Sequence, residues 1–206
     1  MKCFHAWLAA AVLLPAAGFA QQTDLREFRV GMAVSELPRS GYGDFACAAQ
    51  ASQKLTDWRD FKACPAAADG SHAVSFRYAN AGTGEENAGK TRVGGQPVNL
   101  SLMIDDQAEV IGLRMETDPH SGLYLHKKAY LFGLQARARF GENGWTCLEA
   151  KPTATEQPIG GVFVKEHCEK DTLTRHFVLD RQLFRDPRKD LREFTDATQL
   201  TILRAD

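Results

Sequence analysis

Three side chains in the middle of the chain have the types and spacing of a metal site. Asp118, His120 and His126 form a D-x-H-x5-H set across a glycine. Carboxylate oxygens and imidazole nitrogens bind zinc and copper, so a loop could bring them together around such an ion. No strong fourth ligand lies nearby. The sequence therefore favours an ordinary loop without a cofactor, and periplasmic metal or small-molecule binding remains an alternative.

The N-terminus indicates the compartment in which this chemistry would occur. Lys2 precedes the nine-residue apolar run Ala6 to Leu14, and Gly18 and Ala20 place small residues at a cleavage site. This order is typical of a signal peptide over residues 1–20. The run is too short to cross a bilayer, which needs about 20 residues. We expect a soluble mature chain over residues 21–206, periplasmic or secreted.

The cysteines of an exported chain indicate disulfides. Cys3 belongs to the predicted leader, which leaves Cys47, Cys64, Cys147 and Cys168. An even number in an oxidising compartment predicts two bonds, and three pairings are possible. We favour Cys47–Cys64 and Cys147–Cys168, because each closes a local loop that confers about 3 kcal/mol. The spacings contain no C-x-x-C, and full pairing removes a cysteine nucleophile.

Signatures of common catalytic sites do not occur in the 206 residues. There is no G-x-S-x-G, no H-E-x-x-H, no phosphate-binding G-x-x-x-x-G-K-[ST] and no dinucleotide fingerprint. The formal charge of −1 also argues against a nucleic-acid binder, which needs a net basic field. Because catalytic sites assemble in space, an unrecognised hydrolase remains a further alternative.

Alternating apolar and polar residues predict most of the secondary structure as strands. The clearest case runs from Val98 to Met115, where two alternating segments flank Asp105 and Asp106. This pattern predicts a β-hairpin, with the two acids in its turn rather than in a calcium site. Further strands are predicted near residues 44–48, 72–78, 145–149, 162–168, 172–184 and 199–204.

Two helices are predicted on this background of strands. One long amphipathic helix should run from Leu125 to Phe140 and end at Gly141, with Arg137 and Arg139 favourable to its C-terminal dipole. A short helix could occupy residues 33–37 and stop at Pro38. The glycine-rich residues 80–96 separate the strands as a loop or boundary.

The two halves of the chain share an order of elements. Residues 25–116 and 124–204 each contain helix, turn, a strand with a cysteine, a second cysteine about twenty residues later, and a strand pair. This order suggests tandem helix–sheet repeats. We predict an α+β fold of antiparallel sheets backed by one long and one short helix, with two disulfides.

One segment resembles the start of a known type of exported domain. Phe28-Arg29-Val30-Gly31-Met32-Ala33-Val34 resembles the F-x-x-G-M-x-x-x-x-V segment of β-lactamase-inhibitor-protein-like and SmpA/OmlA-like domains, although Val34 falls earlier than in that pattern. Those domains are small helix–sheet modules, sometimes tandem with a disulfide per repeat. The resemblance implies a protein-binding or envelope-assembly module.

These observations combine into one expectation about function. We expect a non-enzymatic module that binds another envelope or secreted protein, with no nucleic acid and no stable membrane insertion. The oligomeric state is left open.

Overall fold

The computed structural model of the chain describes residues 23–79, 91–126, 128–190 and 192–205. The predicted leader, residues 1–20, and most of the glycine-rich loop, residues 80–90, lie outside the described residues. The strands are β1 (Tyr42–Cys47), β2 (Gln50–Lys54), β3 (His72–Tyr78), β4 (Arg92–Val93), β5 (Gln96–Ile104), β6 (Val110–Thr117), β7 (Thr146–Glu149), β8 (Val164–Asp171), β9 (Arg175–Phe184) and β10 (Thr195–Arg204). The helices are α1 (Leu123–His126), α2 (Tyr130–Phe140) and the 3₁₀ helices η1 (Val34–Glu36) and η2 (Trp58–Ala63).

The strands form one antiparallel sheet that runs through both predicted halves of the chain. Its order is β2-β1-β3-β5-β6-β10-β9-β8-β7, with β4 added beside β5. The last strand of each half pairs with the other, and Leu200 lies opposite Met115 and Ile202 opposite Leu113. This pairing of β6 with β10, called the β6–β10 seam here, joins the two helix–sheet units that the sequence suggests. Whether the halves arose by duplication stays a prediction.

One face of the sheet carries the core. In β3 every second residue is buried, from His72 to Tyr78, as alternation along a half-buried strand requires. Above this part of the sheet, Phe28, Tyr42, Trp58 and Phe76 pack edge to face, with ring centroids 4.8 to 5.9 Å apart. The second half is covered by α2, whose Phe132 and Ala136 are buried.

The prediction of a single long helix over residues 125–140 is wrong in its first turn, although residues 130–140 are helical. The structure contains α1, a turn, and then the eleven-residue α2. Around the junction the chain closes tighter i→i−3 bonds, such as Phe132 N–H to the Ala129 carbonyl. The same carbonyl accepts the Thr198 hydroxyl at 3.1 Å, which ties this point to β10. Gly141 does end the helix, with a φ of 89°.

One local prediction agrees with the structure, and the structure explains one spacing of apolar residues in the sequence. The hairpin expected around Asp105 and Asp106 is formed by β5 and β6. Leu55, Trp58 and Phe61 lie three residues apart, which is the period of a 3₁₀ helix, and η2 occupies this stretch. Trp58 and Phe61 are both buried.

Both favoured disulfides are formed. Cys47 joins Cys64, which fastens η2 to the end of β1, and their Cα atoms are 5.2 Å apart. Cys147 joins Cys168 directly across the β7–β8 ladder, at the edge of the sheet. In the described ranges, no helix has the length and apolar character needed to span a membrane.

Candidate functional site

The sheet face opposite α2, called the open face here, carries the side chains that alternate with the buried ones. In β9, Phe177 and Leu179 are buried, so His176, Val178 and Asp180 point to the other side. The pairing register extends this face across the neighbouring strands. It also includes Ser75, Arg77, Ser101, Met103, Arg114, Glu116, Leu148, Lys165, His167, Glu169, Asp171, Thr201 and Leu203.

A histidine between two carboxylates lies near the edge of the open face. His167 Nδ1 is 2.7 Å from Asp180 Oδ1, and its Nε2 is 3.1 Å from Glu169 Oε1. The register of the β8–β9 hairpin places Asp180 directly opposite the histidine. The hydrogen bond to Asp180, followed by that to Glu169, raises the pKa of His167 above its ordinary value. The imidazole therefore retains its proton to higher pH than a solvated histidine.

A second histidine–carboxylate pair follows on the same hairpin. His176 Nδ1 is 2.7 Å from Asp171 Oδ1. Three acids thus lie on the β8–β9 part of the open face. The basic residues Arg77 and Arg114 lie on β3 and β6 in the other half of the sheet. On the open face, acids therefore outnumber the one lysine, Lys165, on the β8–β9 side, and arginines outnumber Glu116 on the β3–β6 side.

The geometry of His167 limits what it can do chemically. A general base needs a ring nitrogen within hydrogen-bond reach of the proton it removes. Both ring nitrogens of His167 contact carboxylates, and the Ser75 hydroxyl on the same face donates to the Ala46 carbonyl. These groups are arranged to hold charge on a surface rather than to activate a nucleophile.

A separate ionic cluster lies on the covered face, beneath α2. Glu166 Oε1 accepts from Arg137 at 2.6 Å, and its Oε2 accepts from Arg181 at 2.8 Å. The Glu166 side chain is only 10% exposed. Arg137 also lies within 3.0 Å of Cys147 Sγ and 2.8 Å of Cys168 Sγ. The cluster connects α2 to β8 and β9, so its role is to position the helix.

A lone buried acid lies close to this cluster. Asp196 is 2% exposed, and within the described ranges no group reaches its carboxylate at full hydrogen-bond geometry, although the backbone N–H groups of Tyr130 and Ala129 lie close enough to lower its pKa. Burial raises its pKa to about 6, against the smaller opposing influence of the Tyr130 and Ala129 backbone N–H groups. The carboxyl thus lies at the N-terminal end of α2, where the helix dipole favours negative charge.

Only two of the three suggested metal ligands have side chains that the structure describes. Asp118 is buried, and its Oδ1 accepts the backbone N–H of His120 at 2.9 Å. The exposed His120 ring lies 3.6 Å from the same oxygen. The side chain of His126 lies outside what the structure describes. Asp118 and His120 therefore form a turn after β6, and the three-residue metal site stays a prediction.

One other group has metal-like spacing among the described residues. The ligand atoms of Cys147, Glu166 and Cys168 lie within 4.8 Å of one another. The two sulfurs are bonded together, however, and a disulfide has no thiolate to offer a metal. The arrangement belongs to the disulfide and the ionic cluster.

Sequence reasoning missed the His167 and Glu166 clusters. A signal for the first was present, because a turn at residues 172–174 in an alternating segment places His167 opposite Asp180 and Asp171 opposite His176. The same register places Glu166 opposite Arg181, but no local signal pointed to Arg137, which lies on a helix rather than on a paired strand.

Comparisons with known proteins return no match at any level. No protein family matches this sequence. No curated protein and no solved structure matches it either.

Proposed function

We propose that the chain is an exported, non-enzymatic module that binds another envelope or secreted protein through its open face. The observation that carries the proposal is the one-sided layering of the sheet. Helix α2 and residues of η1 and η2 pack into the core of one face. The opposite face presents mostly partly exposed side chains, including Leu148, which is 70% exposed, although Met103 and Thr201 near its centre are buried.

The charge pattern of the open face supports a protein partner. Asp171, Glu169 and Asp180 outnumber Lys165 on one side, and Arg77 and Arg114 outnumber Glu116 on the other. A partner with a basic patch opposite the β8–β9 hairpin would complement this arrangement. Complementary charges accelerate encounter and fix the orientation of two proteins more than they add affinity.

The covalent framework supports both export and binding. Disulfides persist in oxidising compartments, and this chain forms one bond in each half. Each bond restrains a segment at the edge of the sheet, either β7 or the segment that follows β2. A preorganised surface loses less conformational entropy on association than a mobile one.

Site-specific crosslinking in the native envelope tests the proposal. A photoreactive residue in place of Val178 lies on the open face, and one in place of the exposed Leu134 on α2 provides a matched control on the other face. We expect one discrete adduct from position 178 and none from position 134. Asp180→Lys should abolish that adduct, whereas Asp190→Lys, in a loop away from the face, should not.

Two results would overturn the proposal. One is equal crosslinking from both positions, or from neither. The other is turnover of an ester, peptide or glycan substrate by the purified protein, lost on alanine replacement of one polar residue.

A further inference from the structure

A cleft lies on the covered face, between α2 and the N-terminal segment of the described chain. It lies above the β6–β10 seam, with α2 on one side and the N-terminal residues Asp24 to Arg26 on the other. Its volume is about 460 Å³, within the range of small-molecule sites. We call it the seam cleft.

The interior of the seam cleft is apolar. Its floor includes Met115 of β6 and Leu200 of β10, which face each other across the seam and are 2% and 1% exposed. Phe132 and Ala136 contribute from α2, and Leu25 from the N-terminal segment. The Gln135 amide at the cleft donates to the Gly94 carbonyl at 2.9 Å. Such a lining suits an alkyl chain better than a sugar, whose hydroxyls need several polar partners.

The lining of the cleft is also strongly basic. Arg26, Arg92 and Arg139 all contribute to it, and Asp24 is the one acid among the described lining residues. Asp24 is already engaged, because its carboxylate accepts from Arg175 Nε at 3.0 Å and from the Val30 N–H at 2.7 Å. The charge that Arg26 and Arg139 bring to the cleft is therefore positive, which selects against cations.

Arg26 has an unusual backbone conformation at this site. Its φ is 48°, in the left-handed region that non-glycine residues seldom occupy. The guanidinium lies 3.6 Å from the centre of the Tyr78 ring, at the cleft wall. Across the cleft, Arg139 donates to the Asp24 carbonyl at 3.3 Å. Strained residues of this kind concentrate where a group must be held in place for a ligand.

From this combination we infer that the seam cleft binds a single-chain amphiphile with an anionic head group, of the fatty-acid class. The alkyl chain lies against the partly exposed Val93 and Phe140, above the buried floor formed by Met115 and Leu200. The carboxylate lies between Arg26 and Arg139, which supply charge-assisted hydrogen bonds. Free fatty acids and single-chain anionic lipids of the envelope share this chemistry.

Calorimetric titration of the purified protein with dodecanoate tests the inference. We expect saturable binding at one site, with no binding of dodecyltrimethylammonium, which has the same chain and the opposite charge. Arg26→Gln and Arg139→Gln should each weaken binding by about tenfold, the loss expected for one charge-assisted hydrogen bond. Arg39→Gln, an exposed arginine outside the cleft, should leave it unchanged.

Methyl NMR locates the binding independently of the arginine variants. Met115 lies in the cleft and Met103 lies on the open face, so the two methyl groups report on opposite faces of the sheet. Dodecanoate should shift the Met115 signal and leave that of Met103 in place. Anionic vesicles that fail to compete with dodecanoate would indicate a free fatty acid, and vesicles that compete would indicate a membrane lipid.

Three outcomes would overturn the inference. They are the absence of saturable dodecanoate binding, equal binding of the cationic amphiphile, and a shift of Met103 without a shift of Met115.

Discussion

Two carboxylates buried beneath α2 differ in how their charge is compensated. Glu166 contacts Arg137 and Arg181, one at each oxygen. Asp196, on β10, has no partner at full hydrogen-bond geometry for its carboxylate in the described part of the chain. A buried ion pair stabilises little in total, yet removal of one member leaves the other charge uncompensated. An unpaired buried acid instead resists ionisation. The two residues should therefore respond to substitution in opposite directions.

Glu166→Gln should destabilise the protein strongly. The substitution keeps the shape of the side chain but leaves two arginines beneath α2 without their counter-charge, which costs about 3 kcal/mol. Urea unfolding followed by circular dichroism measures this loss. Glu169→Gln, on the same strand but 53% exposed, is the matched control and should cost less than about 1 kcal/mol. Equal losses would show that the buried cluster contributes nothing of its own.

Asp196→Asn should stabilise the protein at alkaline pH and change little at pH 4. Burial raises the pKa of Asp196 from its ordinary value of 3.8 to about 6. Its folded pKa thus exceeds its unfolded pKa, so folding stability falls as the pH rises from about 4 through about 6, by at most about 3 kcal/mol. The asparagine does not ionise and avoids this loss. Unfolding free energies of both proteins at pH 4 and pH 8 provide the measurement, and a difference that does not vary with pH would contradict the assignment.

Helix α2 is held at close range to the sheet by a glycine. A Cβ added at Gly133 would lie 2.7 Å from Cδ and Nε of Arg181, whose guanidinium is held by Glu166. The missing side chain therefore lets the helix approach β9 while Arg181 passes beneath it. The sequence pattern identified a helical segment here, but the contact that sets its distance from the sheet comes from a strand about fifty residues away.

Gly133→Ala is therefore expected to destabilise the protein, in contrast to the usual effect of this change within a helix. Alanine normally stabilises a helix interior by up to about 1 kcal/mol relative to glycine. Here the methyl group must displace a fixed part of Arg181, and overpacking of this kind costs about 1 to 3 kcal/mol. Thermal unfolding measures the net effect. Leu134→Ala, at the neighbouring exposed position, should change stability little, and a gain in stability for Gly133→Ala would show that Arg181 moves aside freely.

The whole molecule depends on the seam at which its halves meet. Five residue pairs between β6 and β10 are in register, and Leu113, Met115, Leu200 and Ile202 are buried there. Neither half can separate without exposing this apolar surface. The chain should consequently behave as one cooperative unit.

Tryptophan fluorescence tests this cooperativity, because Trp58 lies in the first half and Trp145 in the second. Trp145→Phe leaves Trp58 as the reporter among the described residues, and Trp58→Phe leaves Trp145. In each variant the fluorescence midpoint in urea should coincide with the midpoint from circular dichroism. Separate midpoints would show that the halves unfold independently and that the seam is weak.

Local patterns along the chain predict its strands well and its helices less well. Alternation reveals β5 and β6 because the side-chain period of a strand is short and repeats within a few residues. The helix expected over residues 125–140 was also predicted from a periodic pattern of apolar residues, with the period of a helix instead of a strand. The predicted helix is interrupted at Ala129, whose carbonyl accepts a hydrogen bond from the Thr198 hydroxyl. Helix α2 begins at the next residue. The sequence segment itself contains no glycine or proline at that point to signal the break.

Spacing along the chain favours the disulfide partners that are formed and predicts the β5–β6 turn. Each of these depends on residues within about twenty positions of one another, where the chain itself keeps the partners close. The β6–β10 seam, the arginines around Glu166 and the basic lining of the seam cleft were decided by the tertiary structure. Their members are remote in the chain, and only packing of the sheet against its covering elements brings such charges and surfaces into contact.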